Sequence, residues 1–222
     1  ISYNTKEGDK MLKSYRTIKK NGIYESEIDK SRFICEIRRT ETEEDAKAFI
    51  NEVKEKYADA THNCSAYQIG QNDEIQRAHD DGEPTGTAGV PMLEIFRRRE
   101  LKNITAVVTR YFGGKLLGAG GLIRAYGGVV NETINKLGVV ERRLLQEIRL
   151  TSDYASSGRI ENEIRQSVFV LEEIKYLENV TFICYVEIDE IESFHSFAMN
   201  LTSGQGIIES GQQAYIEIDQ EN

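Results

Sequence analysis

The chain has 222 residues, 29% of them charged and 39% hydrophobic, with a formal net charge of −9. That composition excludes a disordered polymer and leaves room for one large domain or two small ones, each with a core. Trp is absent and Pro occurs twice, so long Pro-rich linkers are excluded, and no apolar run approaches the ~18 residues a membrane helix needs.

The first ten residues, ISYNTKEGDK, are polar and do not read as a signal peptide. Met11 opens a natural-looking start, so positions 1–10 are set aside from fold reasoning. TIKKNGIYESEI carries Asn21-Gly22, a tight-turn pair between two alternating stretches, and FICEIRRT follows as another strand. Thr42 with Asp45 three residues on forms a loose capping box. Ala46, Phe49, Ile50, Val53 and Tyr57 then share one face, which predicts a helix over 43–57. HNCSAYQIG and EIQRAHD read as strands, and DGEPTGTAG as a loop. PMLEIFRRR is a short helix with Pro91 in its first turn. NITAVVTRYF is the most apolar strand and the expected centre of a sheet. Leu122, Ile123, Tyr126, Val129, Val130, Ile134 and Leu137 then repeat at three and four, and Gly138 stops that helix.

Beyond it the charge changes abruptly. Residues 1–144 hold 24 Lys and Arg against 22 Asp and Glu, whereas 145–222 hold 4 against 15, a net −11. Two domains with different surfaces are implied, and the acidic one should repel nucleic acid. Its elements are the strand LLQEIRLTSD, a helix capped by Asp153 and ending near 167, and the strands VFVLEEIKYLE and NVTFICYVEI joined at Glu178-Asn179. The helix DEIESFHSFAMNLTSG follows, with Ile191, Phe194, Phe197, Ala198 and Leu201 inward, and then the strand AYIEID. The order β-α-β-β-α-β is that of a ferredoxin-like sandwich. The cysteines Cys35, Cys64 and Cys184 are odd in number and lie in apolar contexts, so buried reduced thiols in a cytoplasmic protein are expected.

Two stretches can carry chemistry. RYFGGKLLGAGGLIRAYGG, 110–128, holds seven of the 18 glycines. A strand, a glycine-rich turn and a helix together favour an anion at the free backbone N–H groups. The standard nucleotide patterns fail, however. A Walker A loop needs Ser or Thr after its lysine, and Lys115 precedes Leu116 and Leu117. The dinucleotide fingerprint would place Ile123 where its third glycine belongs. Two readings remain: glycines for backbone packing alone, or a loop that also contacts a phosphate backbone or another anion. From 97 to 124 there are seven Lys and Arg against Glu100 alone, net +6. Arg110 beside Tyr111 and Phe112 supplies the basic and aromatic mix that suits single-stranded nucleic acid. The plainer reading ends a helix with Arg97–Arg99 and pairs arginines with the acidic loop.

That loop, RAHDDGEPTG, is the second stretch. His79, Asp80, Asp81 and Glu83 surround Gly82, and His62 can approach from the preceding strand. A metal site or a carboxylate pair for acid–base work is conceivable, but no metal motif is present. Capping of backbone N–H groups is the plainer role. Cys64 and His62 share one side of a strand, yet no third group orients the imidazole.

Together, HDDGEPTGTAGVPML and ITAVVTRYFGGKLLGAGGLIRAYG resemble the IMPACT family, and the whole chain is similar to its bacterial YigZ-type members. The resemblance implies an N-terminal two-layer α/β domain over 11–140, of the kind in a small-subunit ribosomal protein and in domain IV of elongation factor G. It implies a ferredoxin-like domain over 145–222, similar to domain V of that factor. Eukaryotic relatives regulate translation through an extra domain not found in these residues, so their partner is not carried over. The family's motif residues map to Asp80, Asp81, Gly82, Glu83, Pro84, Arg110, Tyr111, Phe112, Gly113, Gly114, Lys115, Leu116 and Gly118.

The expectation is therefore an α+β, two-domain, non-enzymatic protein that binds RNA, a ribosome or a translation factor. Arg110, Lys115 and Arg124 would neutralise phosphates, and Gly113, Gly114, Gly118, Gly120 and Gly121 would let the backbone come close. No cofactor or metal is expected. The rivals are a hydrolase using 80–83 as base and 110–124 as anion holder, and a protein-interaction module built on the acidic domain.

Overall fold

The structure is a computed structural model that describes residues 11–218; positions 1–10, set aside above, and 219–222 lie outside the description. The chain forms two compact units, one of Tyr15–Glu141 and one of 11–14 with Arg142–Ile218. The class is α+β.

In the first unit, β2 (Gly22–Ile28), β3 (Ser31–Arg39), β4 (His62–Ile69), β5 (Ile75–His79) and β6 (Ile104–Tyr111) form one antiparallel sheet. Its order is β2-β3-β6-β4-β5, so the most apolar strand is central, as its composition predicts. Alternate residues of β6 serve opposite faces. Ala106 and Val108 join Phe33, Cys35, Cys64 and Ala66 beneath α2 (Gly89–Arg98) and α3 (Gly118–Leu137). Val107 joins Tyr67 and Ile69 beneath α1 (Glu43–Lys56). The sheet thus carries helices on both faces, and α1 adds a layer to the two expected. Thr42 caps α1 through Oγ1, which accepts from the Asp45 N–H at 3.1 Å.

Two local readings change. Asn21-Gly22 does not close a hairpin: β1 (Ser14–Ile18) pairs with β7 (Val139–Ser152) in the other sheet, and Asn21 Oδ1 accepts from the Arg39 N–H. The helix expected from Leu122 starts at Gly118, so five of the seven glycines in 110–128 are helical residues. Gly138 ends it at φ 76°, with its N–H on the Ile134 carbonyl.

The second unit continues with α4 (Tyr154–Gln166), β8 (Val170–Tyr176), β9 (Val180–Glu187), α5 (Ile191–Leu201) and β10 (Ile207–Ile218). β7 lies between β10 and β9, and β8 pairs β9, which is the ferredoxin-like order read from the sequence. Asp153 caps α4 by accepting from the Ser156 N–H at 2.8 Å. Ile160 and Ile164 of α4 and Phe194, Ala198 and Leu201 of α5 pack on Ile148, Leu150, Phe182, Cys184 and Val186.

Candidate functional site

The acidic loop leaves β5, an edge strand, and returns to the start of α2. Asp80 organises that return. Its Oδ1 accepts from the N–H groups of Ala88 and Gly89 at 3.0 and 2.9 Å, and its Oδ2 from Gly86 at 2.7 Å. These are donors that Ala88, at the N-cap, leaves unserved. Burial opposes the charge on Asp80, but the three N–H donors outweigh it and hold the carboxyl below the usual range. Asp81 adopts φ 47°. Its Oδ1 binds Lys54 Nζ at 2.6 Å and its Oδ2 accepts from the Asn63 N–H at 2.7 Å. Here too burial is overcome, and the carboxyl lies below the usual range.

Glu83 points inward, its side chain 4% exposed. Oε1 takes two bonds, from Arg110 at 2.6 Å and from the Tyr126 hydroxyl at 2.8 Å. Its Oε2 stands 3.8 Å from His62 Nε2, while His62 Nδ1 lies 2.9 Å from the Asp81 carbonyl. A carbonyl can only accept, so that contact puts the proton on Nδ1. Gly82 adopts φ +89°, and a Cβ there would stand 3.4 Å from His62 Nδ1. Each carboxylate of the motif thus has structural partners.

Arg110, expected to face solvent as a phosphate contact, is buried. Besides Glu83 it donates to Ser31 Oγ at 3.2 Å, and its guanidinium lies over Phe33 and Phe112 at 5.5 and 5.6 Å. Arg110 lies one residue before the end of β6, where Glu83 of the acidic loop reaches it, and a buried guanidinium needs that charge. Tyr111 is half-buried, its hydroxyl donating to Asp59 at 2.8 Å and its ring beneath Arg32. The sequence reading missed Tyr126 and Ser31. Tyr126 sits within the apolar stripe of α3 and reads there as core, and Ser31 carried no signal.

Between Phe112 and Gly120 most of the glycine stretch is exposed. Gly113 packs so closely that a Cβ would stand 1.8 Å from the Lys30 carbonyl oxygen. Its N–H donates to Ser31 Oγ at 3.3 Å. Phe112 is 46% exposed and Leu116 85%. Lys115 is exposed and pairs with Asp29. Gly114, Gly118 and Gly120 are exposed, Gly121 is half-buried, and α3 begins with no side-chain cap on its first N–H groups. Arg124 and Lys30 are exposed and form no ion pair among the described residues. The +6 of the sequence is not one surface, because Arg97 and Arg98 occupy the last turn of α2. Arg97 binds Glu94, Arg99 binds Asn131 and Asn135, and Lys102 binds Asp73.

Cys64 Sγ bonds the Asp80 carbonyl and the Tyr126 hydroxyl, and burial pushes its thiol up to about 12. No hydrogen bond joins it to His62 among the described residues. Nor do three His, Cys, Asp or Glu side chains converge there on a metal position. No helix among the described residues is long and apolar enough to cross a membrane.

The Impact N-terminal domain family matches residues 29–134, and the Domain of unknown function (DUF1949) matches 150–205. The chain is 55% identical over 207 residues to the IMPACT family member YvyE of Bacillus subtilis, covering 93% of this chain and 95% of that one. It is 45% identical over 137 residues to the IMPACT family member YigZ of Escherichia coli, covering 61% and 67%. A crystal structure of a hypothetical protein superposes with a TM-score of 0.59 at 33% identity, covering 89% of this chain and 97% of that one.

Proposed function

The chain belongs to the IMPACT family, and from that premise we propose that its N-terminal unit is a non-enzymatic, cytoplasmic RNA-binding module that acts on or near the ribosome. The observation that carries this reading is the division of labour between the two motifs. Asp80, Asp81 and Glu83 spend their charge on backbone N–H groups, Lys54 and Arg110. What faces solvent is Lys30, Lys115, Arg124, the Phe112 ring and the uncapped start of α3. Cations neutralise phosphates, exposed N–H groups favour anions at a helix start, and an open aromatic ring offers a stacking face for a base. The hydrolase reading asks for a carboxylate free to take a proton, and each of the three is already bonded.

Fluorescence anisotropy of the full chain with a labelled single-stranded RNA tests the proposal. Lys30→Ala, Lys115→Ala and Arg124→Ala together should weaken binding strongly. Arg149→Ala, in the acidic unit, should leave it unchanged. Absence of binding at low salt, or equal binding by the triple variant, overturns the reading.

A further inference from the structure

On the sheet face opposite α2 and α3, α1 and the strands β4 and β5 border an open cleft of about 350 Å³. That is within the size range of a small-molecule site. One wall is a stripe of α1, where Lys47, Asn51 and Lys54 stand at i, i+4 and i+7. Ser65 and His79, cross-strand partners in the β4–β5 register, line the opposite side. Ile50 and Tyr67, both buried core residues, lie beneath it.

The polar groups here are mostly donors with capacity to spare. Lys47 binds Glu43 at 3.3 Å and Lys54 binds Asp81 at 2.6 Å, and an ammonium carries three N–H donors. The Asn51 amide and the His79 ring form no hydrogen bond among the described residues. An independent sign comes from Ser65. It is 1% exposed, and its hydroxyl has no partner. Buried hydroxyls are nearly always bonded, so one left open at the edge of a donor-lined cleft marks a place where a ligand completes the set.

We propose that this cleft binds a phosphate monoester. Two ammonium groups and an amide from α1, a hydroxyl from β4 and an imidazole from β5 flank the cleft on two sides, which suits a tetrahedral dianion with several acceptor oxygens better than a flat carboxylate. The cleft is open to solvent on one side, which leaves room for the attached organic group. The site shares no residue with the loop face carrying Lys30, Lys115 and Arg124, so the two proposals stand or fall separately.

The test is a titration of the full chain, followed by amide chemical shifts, with inorganic phosphate, glycerol 3-phosphate and AMP. The monoesters should bind, more tightly than inorganic phosphate, and shift residues of α1 and β4. Ser65→Ala should weaken them about tenfold, as the loss of a charge-assisted hydrogen bond does, with no loss of thermal stability because the hydroxyl has no partner in the fold. Lys47→Gln, at an exposed position, should act likewise, and the Lys30, Lys115 and Arg124 triple variant should bind as the parent does. No binding up to millimolar concentrations overturns the proposal. So does binding that both Ser65→Ala and Lys47→Gln leave intact, or inorganic phosphate binding as tightly as the esters.

Discussion

Glu83 Oε1 is shared between Arg110 and Tyr126, with side chains 4% and 6% exposed in the ion pair. Removing one partner strands a buried charge. Arg110→Ala or Glu83→Ala should therefore lower the unfolding free energy by about 3–5 kcal/mol, measured by urea denaturation. A loss comparable to that of an exposed pair would contradict this account of the network. Asp80 gives a pH dependence at the same scale. Its folded carboxyl titrates below the ordinary value of 3.8, so between the two values the unfolded state binds more protons and stability rises with pH. The contribution is complete above about pH 5 and is lost as pH falls through the folded value. Asp80→Asn should lower stability at neutral pH and flatten the acid side of the curve. An acid side as steep as the parent's would assign that slope to other carboxylates.

At the scale of elements, glycines of one motif serve different ends. Gly128, on the exposed side of α3, has nothing within 4 Å of where a Cβ would stand. Gly128→Ala should raise stability by about 0.5–1 kcal/mol, read from the denaturation midpoint. Gly113→Ala meets the Lys30 backbone instead and should both destabilise the protein and displace the loop that carries Phe112 and Lys115. Equal effects at the two positions would mean that the close approach at Gly113 is not needed. These cases also mark how far the sequence could be read. The helices at 43–57 and in the acidic unit were legible because apolar residues repeat at three and four. The first turn of α3 was not, since Gly118, Gly120 and Gly121 carry no hydrophobic signal. Asn21-Gly22 shows a turn but not its partners, because pairing β1 with β7 is a contact over more than a hundred residues. Pairing of arginines with the acidic loop is one of two readings the sequence leaves open for Arg110, and its burial depends on Glu83 and Tyr126, which meet it only in the folded chain. Lys115 and Arg124 were legible as exposed cations because their neighbours are glycines and exposed apolar residues.

Over the whole molecule the charge is partitioned along the chain. The net −9 arises from a nearly balanced N-terminal part and a strongly acidic remainder. An acidic unit lowers non-specific attraction to RNA, so any affinity must come from a few cations on the N-terminal unit, and it should fall with salt in proportion to their number. The central claim is that Lys30, Lys115 and Arg124 supply those contacts. The measurement that tests it most directly is the slope of log affinity against log salt for a single-stranded RNA, in the parent chain and in the triple alanine variant. Each lost phosphate contact removes about 0.7 of slope on a single strand, so the variant's slope should be shallower by about two. A parent chain without affinity for RNA, or a variant with an unchanged slope, would contradict the claim.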